Sequence, residues 1–203
     1  MSLLSNVLRE KIEAAVKAKG YKWFEDGDYN LNIVGIRNSE TSNDITNKFD
    51  DLITVSYKVD GKWQFESFEA TTDPGRHWAK NLLNPDGVAI LVPGQYRGSH
   101  KIGLHQGKYE ALRQQKPVRV YRDKDKDNEY DLIAENIKEG IYGINIHRAS
   151  ATGTSVQIDK WSAGCQVIAN NQNFDTLMEL AHKAKAKWGN SFTYTLIESK
   201  DLV

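Results

Sequence analysis

Cysteine is almost absent from this chain: Cys165 is the only one in 203 residues. That excludes an intrachain disulfide and any zinc site built from several thiolates. Long apolar runs are missing too. The longest, Val88 to Val92, is five residues, against the roughly 20 that a membrane-spanning helix needs. Nor is there charge of one sign in excess. Lys plus Arg and Asp plus Glu both number 27, whereas a dedicated nucleic-acid binder carries a basic surplus, so no nucleic-acid partner is expected. Arg9, Glu10, Lys11 and Glu13 interrupt what would have to be the apolar core of a signal peptide, and the product is expected in the cytoplasm on synthesis.

What is present is an ordinary globular mixture, 39% hydrophobic and 27% charged, with no repeat, no low-complexity linker and no shift in composition. It is enough for one well-buried domain. Ser5 to Lys19 has helical spacing and Gly20 is its expected stop. Asp60-Gly61, between Leu52–Val59 and Trp63–Ala70, is a β-hairpin signal. Gly87 to Val92, Gly94 to Leu104, Val118 to Arg122, Gly140 to His147 and Ser191 to Glu198 read as further strands. Phe174 to Trp188 reads as an amphipathic helix with Phe174, Leu177, Met178, Ala181, Ala184 and Trp188 inward. The expectation is one α+β fold, mostly antiparallel β, with an N-terminal helix and a helix near the C-terminus. Residues 1–28 would be a helical segment packed on the domain formed by residues 29–203.

Chemistry concentrates in two blocks, Gly143-Ile-Asn-Ile-His147 and Trp161-Ser-Ala-Gly-Cys165. Alternation along a strand points Ile144 and Ile146 into a core and Gly143, Asn145 and His147 the other way, with His147 on the polar face at a strand end. A thiol has a pKa of about 8.5 and is activated by a neighbouring imidazole. A tight turn at Ala163-Gly164-Cys165 would aim backbone N–H groups at a developing oxyanion, each worth roughly 3 kcal/mol. The competing reading is a core cysteine beside an unrelated histidine.

These blocks resemble the L,D-transpeptidase (YkuD-type) catalytic domain, in which a strand histidine is followed after a short gap by Ser/Thr-His-Gly-Cys. Here His147 is followed by Ser162-Ala163-Gly164-Cys165, and Pro93-Gly94-Gln95-Tyr96 is similar to that family's Pro-x-Gly-x-aromatic segment. The resemblance covers about residues 50–198. It implies a β-sandwich whose cysteine is acylated by a peptidoglycan stem peptide or muropeptide, with no metal or organic cofactor. By position it makes Cys165 the nucleophile and His147 the base, gives Gly164 and Cys165 the oxyanion amides, and places Ser162 in the catalytic turn. Tyr96, His105, Asn145, Arg148 and Trp161 are expected on the substrate side, with Arg148 or Arg97 facing a substrate carboxylate. Ala163 stands where the motif has histidine, and Val167 where it has arginine. Those departures sustain a second reading, a cell-wall-binding or phage structural module that keeps the fold without the activity. A phage product reaching the wall at lysis or on a virion would reconcile a wall substrate with the missing leader.

Other groups rank lower. His77 lies in a turn, His100 is a polar strand residue, and His182 sits on the edge of the C-terminal helix. Asp123, Asp125 and Asp127 fall at the first, third and fifth positions of a calcium-loop pattern. Asn128 and Ala134 stand where that loop needs Gly and Glu, and interleaved Lys124 and Lys126 favour a charged hairpin tip.

Overall fold

The structure, a computed structural model, describes residues 3–202. In chain order it contains α1 (Leu3–Ala18), β1 (Asn32–Arg37), β2 (Asp51–Val59), β3 (Lys62–Thr71), α2 (Arg76–Lys80), β4 (Val88–Leu91), β5 (Gly94–His105), β6 (Tyr109–Gln114), β7 (Val118–Asp123), β8 (Ile137–Gly140), β9 (Ile146–Arg148), β10 (Gln166–Ile168), α3 (Asn171–Trp188) and β11 (Phe192–Glu198). Eight strands close a barrel in the order β1-β11-β5-β6-β9-β10-β3-β2, and β4-β7-β8 form a separate small sheet. The fold is therefore α+β with a β-rich core, as expected, but the main sheet closes on itself instead of forming a two-sheet sandwich. Within the barrel, β1 with β11 and β9 with β10 are parallel, and every other pair is antiparallel. No helix among the described residues is long and apolar enough to cross a membrane.

Turn chemistry sets the registers. Asp60 and Gly61 both take positive φ, 49° and 72°, and pair Val59 with Lys62 in the anticipated hairpin. Gln106 and Gly107 do the same between β5 and β6, with φ of 49° and 72°, and so set His105 opposite Tyr109. The helices cap as their ends dictate. Gly20 (φ 72°) donates to Lys17 O and Tyr21 to Val16 O, closing α1 in a Schellman motif. Asn170 caps α3 by accepting from the N–H groups of Gln172 and Asn173.

Burial explains which faces are apolar. α3 sets Phe174, Leu177, Met178, Ala181 and Ala184 into one core with Ile53, Val55, Ile146, Tyr194 and Leu196 of the barrel. Trp188, expected inward, is 49% exposed. α1 covers the other side of β1 and β11, packing Ile12, Ala15 and Val16 on Val34, Ile36 and Ile197. That is why β1 is buried at all six positions instead of alternating.

The expected strand from Gly140 to His147 is broken in two. Gly143 adopts φ 74°, and the side-chain oxygen of Gln114 takes the N–H groups of Tyr142 and Ile144 at 3.0 and 2.9 Å. Extended pairing stops there. β8 joins the small sheet and β9 enters the barrel. Ile144 and Ile146 are buried as expected, but His147, expected on a polar face, is buried as well at 4% exposure.

Candidate active site

A cavity of about 550 Å³ is lined by Cys165, His147, His105, Tyr109, Arg148 and Trp161, among others. Parallel pairing of β9 with β10 creates it. Gln166 lies opposite Ile146 and Val167 opposite His147, so the residue just before β10, Cys165, faces the start of β9. Sequence-distant thiol and imidazole are thereby set on neighbouring strands.

The turn before Cys165 is held by Ser162, which is fully buried. Its hydroxyl accepts from Gly164 N–H at 3.1 Å and donates to the Cys165 carbonyl at 2.8 Å. Gly164 takes φ 131°, and a Cβ there would lie 2.2 Å from the Ala89 carbonyl oxygen, so only glycine fits. Two expectations change. Ser162 shapes the turn but does not line the cavity, and the Gly164 amide is already committed to it. Among the described residues the Cys165 N–H has no acceptor, which leaves it the open donor of the expected pair.

The thiol of Cys165 donates to the Gly143 carbonyl at 3.2 Å. Burial pushes it up to about 11, opposed by the Asn145 N–H, although the residue as a whole is only half-buried. His147 is pushed down to about 3, first by burial and then by His105. Both groups are therefore neutral at pH 7. The Nδ1 of His147 lies 2.7 Å from the Arg148 carbonyl. A carbonyl only accepts, so Nδ1 carries the proton and Nε2 keeps its lone pair.

His105 stacks on His147 with ring centroids 4.2 Å apart and planes 22° apart. Its tautomer is fixed from behind. Asn145 Oδ1 accepts from Gln114 N–H at 2.9 Å, so Asn145 Nδ2 faces His105 Nδ1 at 3.2 Å and donates to it. Neutral His105 then carries its proton on Nε2. Asn145, expected to touch substrate, instead positions His105.

The remaining expectations divide. Arg148 lies over the Tyr109 ring at 4.3 Å and lines the cavity, as does Trp161, which is 42% exposed. Tyr96 does not reach it. Its hydroxyl donates to the Val92 carbonyl at 2.6 Å, and burial pushes it up to about 12. Arg97 is elsewhere too, over Phe24. Val167 is fully buried in the barrel, so the position that holds the motif arginine is core here. Tyr109, whose hydroxyl is 3.3 Å from His147 Nδ1, is the contact that pattern reading misses. Its only signal is its place across the Gln106-Gly107 turn from His105.

No protein-family model matches the chain, and no curated protein matches it.

The other histidines are engaged elsewhere. His100 is buried, with Nε2 on the Ile144 carbonyl and Nδ1 on Ser99, and burial pushes it down to about 4. His182 pairs with Glu110 on the surface at 2.8 Å, and His77 packs edge-on against Trp78. The acidic run lies in the connection between the antiparallel strands β7 and β8. There Asp123, Asp125 and Asp131 bring carboxylate oxygens within 4.8 Å of one another, and Lys80 donates to the carbonyls of Lys126 and Asp127.

Proposed function

We propose that the chain is a cysteine-dependent acyl transferase of L,D-transpeptidase type, acting on peptidoglycan stem peptides. The observation that carries this reading is the shared cavity of Cys165 and His147, with His147 held as the Nδ1–H tautomer so that Nε2 is free to take a proton. The resting pair is thiol and neutral imidazole, so the proton moves as the bond forms and not beforehand. Sγ attacks the carbonyl carbon of the scissile amide while Nε2 takes the thiol proton. The Cys165 N–H stabilises the oxyanion. As the C–N bond breaks, Nε2 returns the proton to the departing amine, leaving a thioester. An incoming amine or water then gives up its proton to Nε2 and displaces the thiolate, which is reprotonated. An amine yields a cross-link and water a carboxypeptidase product. Arg148, which takes part in none of the ion pairs among the described residues, is suited to a substrate carboxylate in place of the missing arginine.

One observation favours a second reading. The thiol is spent on the Gly143 carbonyl and its pKa is raised instead of lowered, which also suits a muropeptide-binding module without turnover. Incubation with a tetrapeptide muropeptide separates the two. Release of terminal D-alanine, lost in both Cys165→Ala and His147→Ala, is the result expected of the enzyme. Saturable binding that survives Cys165→Ala, with no product in the wild type, would establish the module instead.

A further inference from the structure

A second cavity, of about 420 Å³, shares no lining residue with the first. It lies where the parallel strands β1 and β11 begin and α3 ends. Its form starts in β5. Between the pairs Tyr96–Tyr194 and His100–Phe192 the register shifts, so three residues of β5 oppose Thr193 alone. Such bulges re-aim side chains. Gly98, inside the bulge, takes φ 59°, and a Cβ there would meet Ser191 Oγ at 2.8 Å. Its N–H goes to the Thr193 hydroxyl at 3.1 Å.

The bulge leaves Arg97 exposed, with its guanidinium over the Phe24 ring at 5.2 Å. Lys116, from the turn between β6 and β7, donates to the Arg97 carbonyl at 3.4 Å. Trp188, held by its indole N–H on the Asp28 carbonyl at 2.9 Å, supplies a second aromatic wall. Among the described residues neither Arg97 nor Lys116 has an ion-pair partner, and no carboxylate residue lines the cavity. The nearby Asp28 carboxylate is taken by Lys187 at 3.4 Å.

Two cations without carboxylate partners, one of them over an aromatic ring, in a pocket of ligand size at the mouth of a barrel, define what fits. We infer that this is a second ligand site, for an anionic small molecule with a flat apolar body. It is independent of any reading of Cys165.

The test titrates the intact chain with 8-anilinonaphthalene-1-sulfonate and with N-phenyl-1-naphthylamine, which has the same rings without the sulfonate. Saturable one-to-one binding of the sulfonate is expected, at least tenfold tighter than that of the neutral probe. The Arg97→Gln, Lys116→Gln double variant should weaken it at least tenfold, and Cys165→Ala should leave it unchanged. Both cationic side chains are exposed, and the single glutamine variants give the same reading if the double variant melts early. Equal affinity for the two probes, absence of saturable binding, or loss of binding in Trp161→Ala but not in the glutamine variants would overturn the assignment.

Discussion

His147 is neutral because it is buried and because a second imidazole lies against it; a charge on it would face both penalties. Burial is the larger cause, so replacing His105 should lift His147 only part of the way. In His105→Phe, which keeps a ring in the stack, the His147 titration followed by imidazole NMR is expected to move up from about 3 while staying below the ordinary range. No movement would mean that His105 is only packing. Gly164 carries a sharper expectation. Both its φ and its approach to Ala89 forbid a side chain, so Gly164→Ala should cost on the order of 2 kcal/mol or more in a denaturant melt. The Gly-Cys dipeptide announced that constraint in the sequence. The tautomers were not legible, because they depend on Asn145, Gln114 and the Arg148 carbonyl, which only the fold brings together.

Elements that rest on local chemistry were legible, and those that rest on a distant side chain were not. The Asp60-Gly61 hairpin and the α1 stop at Gly20 follow from turn and cap rules. β6 was invisible because Tyr-Glu-Ala-Leu-Arg-Gln is made largely of good helix formers; the Gln106-Gly107 turn and pairing along β5 override that preference. The split of the 140–147 segment has its cause in another strand. Gln114 is 6% exposed. It accepts from Tyr142 and Ile144 and donates to the carbonyls of Lys116 and Gly140, both at 2.9 Å. Gln114→Leu strands these groups, of which the Ile144 N–H is buried, and an unpaired buried group costs about 1–3 kcal/mol. The expected outcome is a lower melting temperature and faster amide hydrogen exchange at Tyr142 and Ile144. Exchange rates like those of the wild type would show that another group holds this segment.

Across the whole molecule one buried polar network ties the barrel to the small sheet. Arg37, at the end of β1 and 1% exposed, donates to the Leu91 carbonyl of β4 at 3.0 Å, to Thr72 Oγ1 at 3.1 Å, and lies 2.9 Å from Asp73. Asp51 accepts from Thr72 N–H, Thr72 Oγ1 and Asn38 N–H. Gln166 reaches Thr72 O and Gly164 O and accepts from the Tyr194 hydroxyl, which ends the network at the turn that carries Cys165. One guanidinium thus serves two carboxyls. Burial pushes both carboxyls up; Asp51, with three donors and Arg37 opposing that rise, is the better suited to ionisation, and Asp73 is pushed up to about 7. Between about 4 and 7 the native state holds a proton that the unfolded chain has released, so this contribution is complete at low pH and fades as pH rises through 7. Below about 6.5 the buried His147 and His100 act in the opposite sense, since the unfolded chain protonates them first. Asp123, pushed up to about 6, has largely finished titrating by then. An ordinary imidazole is still about half protonated at pH 6.5, so from about 6.5 to 8 the effects of His147 and His100 and that of Asp73 largely offset one another. Asp73→Asn removes only the part that falls with pH, so the melting temperature of the variant relative to the wild type should rise from pH 6.5 to pH 8. Arg37→Met, which leaves Asp51 buried without its cation, should lose about 3–5 kcal/mol and speed alkylation of Cys165 at pH 8 by loosening its turn. An Asp73→Asn slope parallel to that of the wild type would place the proton elsewhere in the network.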